Sequence, residues 1–454
     1  MKEDKNKNIT NSDTQTENTD ITPQVASKDS KKSHYISRAE ARRIAQENFE
    51  HVKRLEAYKK RKNVDESEYV TQMKDNKNVV EFDDLHTYFF TDGGTVKAVD
   101  GVSFNVPQGS VVGVVGESGC GKSVTSLSLM QLVQGPTGQI VSGEIRFKGE
   151  DYLKDEEGKK IPIYTDELDE QGNPVQLKNE WGVPQYKKGT YVYNIAKMPM
   201  DEMRRIRGSQ IAMIFQEPMT SSNPVFTIGE QLDEVTMLHI EGASKEYAKA
   251  RSIDMLKLVG IAMPESIYKR YPHELSGGMR QRVMIAMALI CDPELIIADE
   301  PTTALDVTIQ AQILDLLRDV KDKMNGSIML ITHDLGVIAE MADFVVVMYA
   351  GRIIEQGTAT EIFDNPCHPY TIGLQKSKPA VNKKVDRLYS IPGQVPNPID
   401  MPDFCYFKER CNKCINKCNG EYPPIVRLSP THTVSCYLYN DIFEKTSAKE
   451  KNNG

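Results

Sequence analysis

No stretch of this 454-residue chain stays apolar over the roughly 18–20 positions a helix needs to cross a bilayer. The first segment, Met1 to Ser33, is rich in Asn, Thr, Asp, Ser and Lys and lacks the apolar core of a secretory signal. The expectation is a cytosolic chain that meets any membrane through partners. Basic charge is not in excess either. Against 64 Asp and Glu stand 56 Lys and Arg, a formal net charge of −8, which gives no reason to expect nucleic acid. Sustained heptads are missing, so no long coiled coil interrupts the chain. Hydrophobic residues make up 39%, enough for a sizeable core, and the length allows more than one domain.

What is present begins with Val111-Val112-Gly113-Val114-Val115, β-branched and uncharged, which reads as a buried parallel strand. It runs into Gly116-Glu117-Ser118-Gly119-Cys120-Gly121-Lys122-Ser123 and then an apolar-periodic helix from Val124. This is G-x-x-x-x-G-K-S in its strand–loop–helix context, a site for ATP and Mg²⁺. The glycines let backbone N–H groups turn toward phosphate. Lys122 supplies positive charge to the β and γ phosphates, and Ser123 a hydroxyl to Mg²⁺. A turn that merely joined strand to helix would need neither the Lys nor the hydroxyl. Cys120 offers phosphate no side chain, but its thiol is expected to make the loop sensitive to oxidants.

Leu295-Ile296-Ile297-Ala298-Asp299-Glu300 puts two carboxylates at the end of an apolar strand, beside that loop. Asp299 is expected to hold Mg²⁺ through water and Glu300 to polarise the attacking water. The bland alternative is an acidic pair capping the next element. Between the two motifs lies Leu275-Ser276-Gly277-Gly278-Met279-Arg280-Gln281-Arg282. A Ser hydroxyl and two Gly amides opening a helix form a second anion-binding site. One ATP does not easily use both sites of one chain, whereas two such domains can sandwich it.

The order of these segments resembles the ATP-binding-cassette family. The resemblance implies an α/β P-loop ATPase core with an antiparallel β subdomain and a helical subdomain around the signature. It also implies that Ser276, Gly277 and Gly278 grip ATP bound to a partner cassette. Pro301-Thr302-Thr303-Ala304-Leu305-Asp306 matches the D-loop, placing Asp306 in the nucleotide-binding set. His333, after the strand Ile328-Met329-Leu330-Ile331-Thr332, becomes the switch that contacts the γ phosphate and positions Glu300 and water. Gln216, after Ile211-Ala212-Met213-Ile214-Phe215, becomes the Q-loop residue sensing Mg²⁺ and water. Phe89 matches the aromatic that stacks on adenine, with Tyr88 and Phe90 as alternatives.

Several segments look more narrowly like ATP-binding subunits of oligopeptide and dipeptide importers. They are Arg207-Gly208, Gln216-Glu217-Pro218-Met219-Thr220-Ser221-Ser222-Asn223-Pro224, His368-Pro369-Tyr370-Thr371 and Ile391-Pro392-Gly393. This resemblance runs from Val79 to Leu438. It implies ATP hydrolysis coupled to peptide uptake and a heterodimer with a second related ATPase. It further implies two integral membrane permease subunits, docked near the Gln216–Pro224 segment, and an extracytoplasmic solute-binding protein acting indirectly. The expected place is the cytoplasmic face of the cell membrane, held peripherally. Nickel or another small solute is an alternative cargo. A soluble cassette protein of translation or DNA repair is a rival, but such proteins carry two cassettes in one chain or a long coiled coil.

The organisation expected is an N-terminal extension over 1–78, the ATPase over 79–355, a small Cys-rich C-terminal domain of peptide-importer type over 356–440 and a disordered tail over 441–454. In the extension a disordered stretch precedes a helix. Ser37-Arg38-Ala39-Glu40 is a capping box with Ile36 as staple, and the helix runs to about Arg61. Ala41, Ile44, Ala45, Val52 and Leu55 form its stripe, which suits a solvated helix or one docked on a partner. Residues 154–197, holding Trp181, Tyr164, Tyr186, Tyr191 and Tyr193, read as a partly β surface insertion. Of eight cysteines, five fall in the tail: Cys405, Cys411, Cys414, Cys418 and Cys436. In a cytosolic chain such clustering points to zinc, an iron–sulfur cluster or reduced structural thiols. The importer resemblance implies a [4Fe–4S] cluster on Cys405, Cys411, Cys418 and Cys436, with zinc as the alternative. Cys414 is extra and makes a competing C-x-x-C pair with Cys411.

Overall fold

The structure, a computed structural model, describes residues 38–441 apart from 63, 170, 217–221, 304–305, 325 and 378–388. Its first sheet grows from a local signal. Asp92-Gly93 closes a tight hairpin between β1 (Asn78–Thr91) and β2 (Gly94–Pro107), pairing Thr91 with Gly94. The chain then enters β3 (Val111–Val115), whose five residues are all buried. β4 (Gly138–Tyr152) returns to pair with β1, and β5 (Tyr164–Leu168) and β6 (Pro174–Gln176) form a separate hairpin. β7 (Lys188–Asn194) completes an antiparallel sheet of order β2-β1-β4-β7.

The second sheet holds eight strands. β8 (Ile211–Ile214), β9 (Leu295–Asp299), β10 (Ser327–Thr332) and β11 (Phe344–Tyr349) run parallel with β3. β12 (Arg352–Thr358), β13 (Ile425–Arg427) and β14 (Thr433–Ser435) add an antiparallel edge, giving the order β13-β14-β12-β11-β3-β10-β9-β8. The parallel strands are apolar at successive positions because both faces are covered. Val112, Val114, Ile297, Met329 and Ile331 face a core shared with Phe82, Phe104, Ile145 and Phe147 of the antiparallel sheet. Val111, Val115, Ile296, Ile328 and Leu330 face a core filled by helices. Those helices include Ile228–His239, Lys245–Leu258, Gly277–Leu289 and Val307–Met324. A capping box starts the first: Thr227 Oγ1 accepts from Glu230 N at 3.2 Å and Glu230 Oε2 accepts from Thr227 N at 2.7 Å.

Three expectations change here. The N-terminal helix, Arg38–Lys59, packs on its own chain. Asn48 Nδ2 donates to Thr91 O at 2.9 Å, Gln139 Nε2 donates to Glu56 Oε1 at 3.1 Å, and His51 stacks on Phe90 at 6.0 Å. Ile44, Ala45, Val52 and Leu55 are its half-buried side, while Ile36 and Ser37 lie outside the described residues. The surface insertion ends earlier than residue 197, because β7 is structural. Tyr193 is buried, and its hydroxyl donates to Asp151 at 3.1 Å. The C-terminal region does not stand apart, because its β14 pairs with β12 through Glu355–Val434 and Gln356–Thr433. Glu355, fully buried there, accepts from the amides of Cys367 (2.7 Å) and His368 (2.9 Å) and lies 2.9 Å from His432 Nε2.

His368 caps the helix Pro369–Lys376, its Nδ1 accepting from Tyr370 N at 3.1 Å. Burial pulls its pKa from 6.5 down to about 4. Between those values the unfolded chain binds the proton and the folded chain does not. The resulting stability is present above pH 6.5 and is lost as pH falls toward 4, by up to about 3 kcal/mol for a shift of this size. Asn at this position keeps a capping oxygen and removes the titration. Urea midpoints measured between pH 7 and 4 should therefore fall less steeply for His368→Asn than for the natural chain. Parallel curves would show that His368 does not contribute.

Candidate active site

The phosphate loop leaves β3 at its carboxyl end. Gly116 has φ +156°, and a Cβ there would lie 2.3 Å from Met348 O; Gly121 has φ +100°, and a Cβ there would lie 2.2 Å from Ala98 O. Both positions therefore require glycine on conformational and steric grounds. Ser118 and Gly119 are exposed at the crest of the loop. Lys122 opens the helix Lys122–Leu129 and is 5% exposed. Its ammonium donates to Gly116 O at 2.8 Å and Glu117 O at 3.1 Å, so the charge lies along the loop backbone. Cys120 is 1% exposed, and burial pushes its thiol pKa up. A buried neutral thiol is a poor nucleophile, so the expected oxidant sensitivity does not hold for this residue.

Parallel register brings the other groups to the same edge. Ile331 pairs with Asp299, Thr332 with Val115, and Ile214 with Ala298. Gln216, Glu300, His333 and the loop at Gly116 therefore all emerge from the carboxyl ends of neighbouring strands, where ligands bind in such sheets. Glu300 is the hub. Its φ of +48° is a strained left-handed value for a non-glycine, and its N–H donates to Ile331 O at 2.8 Å. Gln216 Nε2 and Thr303 Oγ1 each donate to Glu300 Oε2 at 2.9 Å, and His333 Nδ1 lies 3.2 Å from Oε1. Ser123 Oγ donates to Asp299 Oδ1 at 3.1 Å, bringing together the two groups expected at Mg²⁺. Burial raises the Asp299 pKa; the Ser123 hydrogen bond opposes the shift and the Glu300 charge adds to it.

The signature lies elsewhere. Ser276 Oγ caps the helix Gly277–Leu289 by accepting from Met279 N at 3.4 Å. Ser276 and Gly277 are exposed, and a Cβ on Gly277 would meet nothing within 4 Å. At Gly278 a Cβ would lie 3.3 Å from Ile309. Among the described residues, no hydrogen bond or ion pair joins 276–278 to the loop 116–123. Gln281 Nε2 donates to Pro301 O at 2.8 Å, linking the signature helix to the turn after Glu300. The exposed Asp306 caps the helix Val307–Met324, accepting from Ile309 N at 3.0 Å. Ala304 and Leu305 of the D-loop and residues 217–221 after Gln216 lie outside the described residues. Phe89 is half-buried and pairs across the sheet with Val96 and Gly138. Its two alternatives are engaged: Tyr88 donates to Asp100 at 2.7 Å, and Phe90 stacks on His51.

All five tail cysteines are free thiols. Cys418 and Cys436 are buried, Cys405 and Cys411 half-buried, and Cys414 exposed. Burial pushes Cys405 up to about 12 and Cys436 up to about 11. Cys405 is influenced by Cys418, Cys436 and Cys411, and Cys414 by Cys418 and Cys411, so all five tail thiols are neighbours. Among the described residues, the His/Cys/Asp/Glu trio whose ligand atoms all lie within 4.8 Å of one another is Glu355, Cys367 and His432, not a set of tail cysteines. Sequence reasoning gave no role to three residues that touch the site: Thr303, Tyr370 and Arg410. Tyr370 OH accepts from Glu117 N at 2.8 Å, and Arg410 pairs with the Glu117 carboxylate. Thr303 and Tyr370 lie within recognisable motifs, but nothing in the sequence around Arg410 marks it.

A phosphate loop, an acidic strand end and a Leu-Ser-Gly-Gly helix start on a parallel sheet of this order define an ATP-binding cassette, an ATPase. The ABC transporter family matches residues 99–303, and the oligopeptide/dipeptide transporter C-terminal region matches residues 354–418. The oligopeptide transport ATP-binding protein AppD of Bacillus subtilis (strain 168) is 44% identical over 363 residues, which is 80% of this chain and 97% of AppD. The dipeptide transport ATP-binding protein DppD of the same organism is 44% identical over 360 residues, covering 79% of this chain and 94% of DppD. The probable peptide ABC transporter ATP-binding protein y4tR of Sinorhizobium fredii is 44% identical over the same length, with the same coverage of both chains. The chain belongs to the ABC transporter ATP-binding proteins, in the group that carries the oligopeptide/dipeptide C-terminal region.

Glu300→Gln preserves shape and removes the carboxylate. It should leave ATP binding intact and slow single-turnover hydrolysis by at least about 100-fold, the lower range for loss of a general base. Lys122→Ala should instead weaken nucleotide binding. Hydrolysis by Glu300→Gln at the natural rate would remove Glu300 from this role.

Proposed function

We propose that this chain is the ATP-hydrolysing subunit of an importer that takes up oligopeptides or dipeptides. The observation that carries the reading is the C-terminal region matched over 354–418, built into the ATPase sheet beside an intact nucleotide site. ATP lies on the phosphate loop with its phosphates against the Gly116–Ser123 amides and Lys122. Ser123, Asp299 and Gln216 are the residues to hold Mg²⁺, directly or through water. Glu300 takes the proton of the attacking water while Gln216, Thr303 and His333 fix its carboxylate. Ser276 and Gly277 are exposed and, among the described residues, not hydrogen-bonded to the loop of the same chain, which supports a sandwich in which a second, related ATPase supplies the opposite half of each site. Two membrane permease subunits convert closure into transport, and an extracytoplasmic solute-binding protein delivers cargo to them.

Purified from membranes, the chain should bring down a related ATPase and two permeases, and the reconstituted assembly should accumulate labelled di- or oligopeptide in an ATP-dependent way. Accumulation of nickel without peptide would overturn the cargo.

Four tail thiolates, Cys405, Cys411, Cys418 and Cys436, are proposed to hold a [4Fe–4S] cluster that fixes the tail in place. Four thiolates on one zinc at about 2.3 Å would sit about 3.8 Å apart, as tetrahedral geometry requires. Among the described residues no three tail cysteines bring their sulfurs within 4.8 Å of one another, so a single zinc would need them to close in. Cys414 is exposed and interacts with Cys418, which keeps it beside the proposed ligands as the competing thiol. Protein purified without oxygen should carry about four iron and four sulfide per chain, and Cys414→Ser should keep them while Cys418→Ser loses them. One zinc per chain with no iron would refute this assignment.

A further inference from the structure

The Cys-rich tail reaches back to the phosphate loop through one side chain. Arg410 ends the short turn Lys408–Arg410 between Cys405 and Cys411, and its side chain is 5% exposed. Its two terminal nitrogens donate to Glu117, Nη1 to Oε2 at 2.6 Å and Nη2 to Oε1 at 2.9 Å. This is the paired geometry a guanidinium makes with a carboxylate and a lysine cannot. Nε donates to Pro392 O at 2.9 Å, and Nη1 also reaches Tyr349 OH at 3.4 Å. Rings of Tyr349, Tyr370 and Phe407 enclose the pair, with centroids 4.8 to 5.5 Å apart.

Glu117 is the second residue of the phosphate loop, and every polar group it carries is held. Its carboxylate is bound by Arg410 and its N–H by Tyr370 OH, both from the C-terminal region. Its carbonyl accepts from Lys122 Nζ at 3.1 Å. The ammonium that phosphate needs thus touches the backbone of the same residue whose carboxylate Arg410 holds. Left unpaired, it would be free to turn on Lys122 and compete with ATP for that charge.

We propose that Arg410 is a positioning residue for ATP, holding the Glu117 carboxylate away from Lys122 and fixing the phosphate-loop backbone for phosphate. The C-terminal region is then a working part of the nucleotide site. This inference rests on the ATPase assignment, which binding by the natural chain tests separately. If the natural chain binds no Mg–ATP, that assignment fails and the variants are not the cause.

The test is equilibrium binding of Mg–ATP to the full-length chain, with single-turnover hydrolysis and thermal midpoints measured alongside. Arg410→Met should weaken ATP about tenfold, as expected for loss of a charge-assisted pair at the site. Arg410→Lys should be intermediate, because it keeps the charge without the fork. The decisive variant is Arg410→Met combined with Glu117→Gln. With no carboxylate left to capture Lys122, it should bind ATP more tightly than Arg410→Met alone. A purely structural pair would lower the thermal midpoint and the active fraction, leave the dissociation constant of the active fraction unchanged and give no rescue. Natural affinity in folded Arg410→Met, or a double variant as weak as the single, overturns the proposal. Should Arg410→Met fail to fold, Arg410→Lys and the double variant still decide it.

Discussion

The register of the parallel strands is the constraint on which the site depends. β3, β9 and β10 are buried on both faces, and alternate residues of each serve different cores: Ile296 and Ile328 the helical one, Ile297 and Met329 the one shared with the antiparallel sheet. A slip of one residue would send every side chain to the opposite core, so the pairing is fixed by packing on two sides at once. Once it is fixed, the carboxyl ends of the strands are level. The phosphate loop, Asp299, Glu300 and His333 then share one edge, although more than 200 positions separate Gly116 from His333.

That edge concentrates charge without cancelling it. Asp299 and Glu300 are adjacent, one partly desolvated and bonded to Ser123, the other held by Gln216, Thr303 and His333. The two carboxylates therefore have separate environments, which suits the metal-binding role proposed for Asp299 and the base role proposed for Glu300. The left-handed backbone at Glu300 is a local cost that the surrounding hydrogen bonds offset.

The C-terminal region touches the cassette at further places besides the sheet edge, two of them through arginines. Arg410 reaches Glu117, and Arg352 links the antiparallel sheet to the tail. Arg352 donates twice to the buried Asp100, at 2.9 and 2.7 Å, and lies 4.1 Å above the Tyr422 ring. Burial works to raise the Asp100 pKa, but hydrogen bonds from His86 and Tyr88 and the Arg352 charge hold it well below the usual carboxylate range. Such a pair is costly to break from one side, so it fixes where the tail sits. The tail cysteines thus have a defined place relative to the phosphate loop, through Arg410, which neighbours Cys411 in the chain and pairs with Glu117.

The nucleotide motifs were legible in the sequence because each is a short run whose chemistry is local. A Gly-rich loop, a carboxylate pair after four apolar residues and a Ser-Gly-Gly helix start each lie within a few consecutive residues. The hairpin at Asp92-Gly93 and the stripe on the first helix are of the same kind. What tertiary structure decided is where those runs meet and what else meets them. Only folding shows that the first helix packs on Phe90 of its own chain, that Lys188–Asn194 is the edge strand of the antiparallel sheet with Tyr193 and Asn194 buried, and that burial leaves the Cys120 thiol a poor nucleophile. Arg410 is the sharpest case. It lies 293 positions from Glu117, and a single arginine between two cysteines carries no pattern of period or spacing. Its partner is set by the register of β12 with β14 and the closure of the tail onto the sheet, long-range packing that no window of sequence contains.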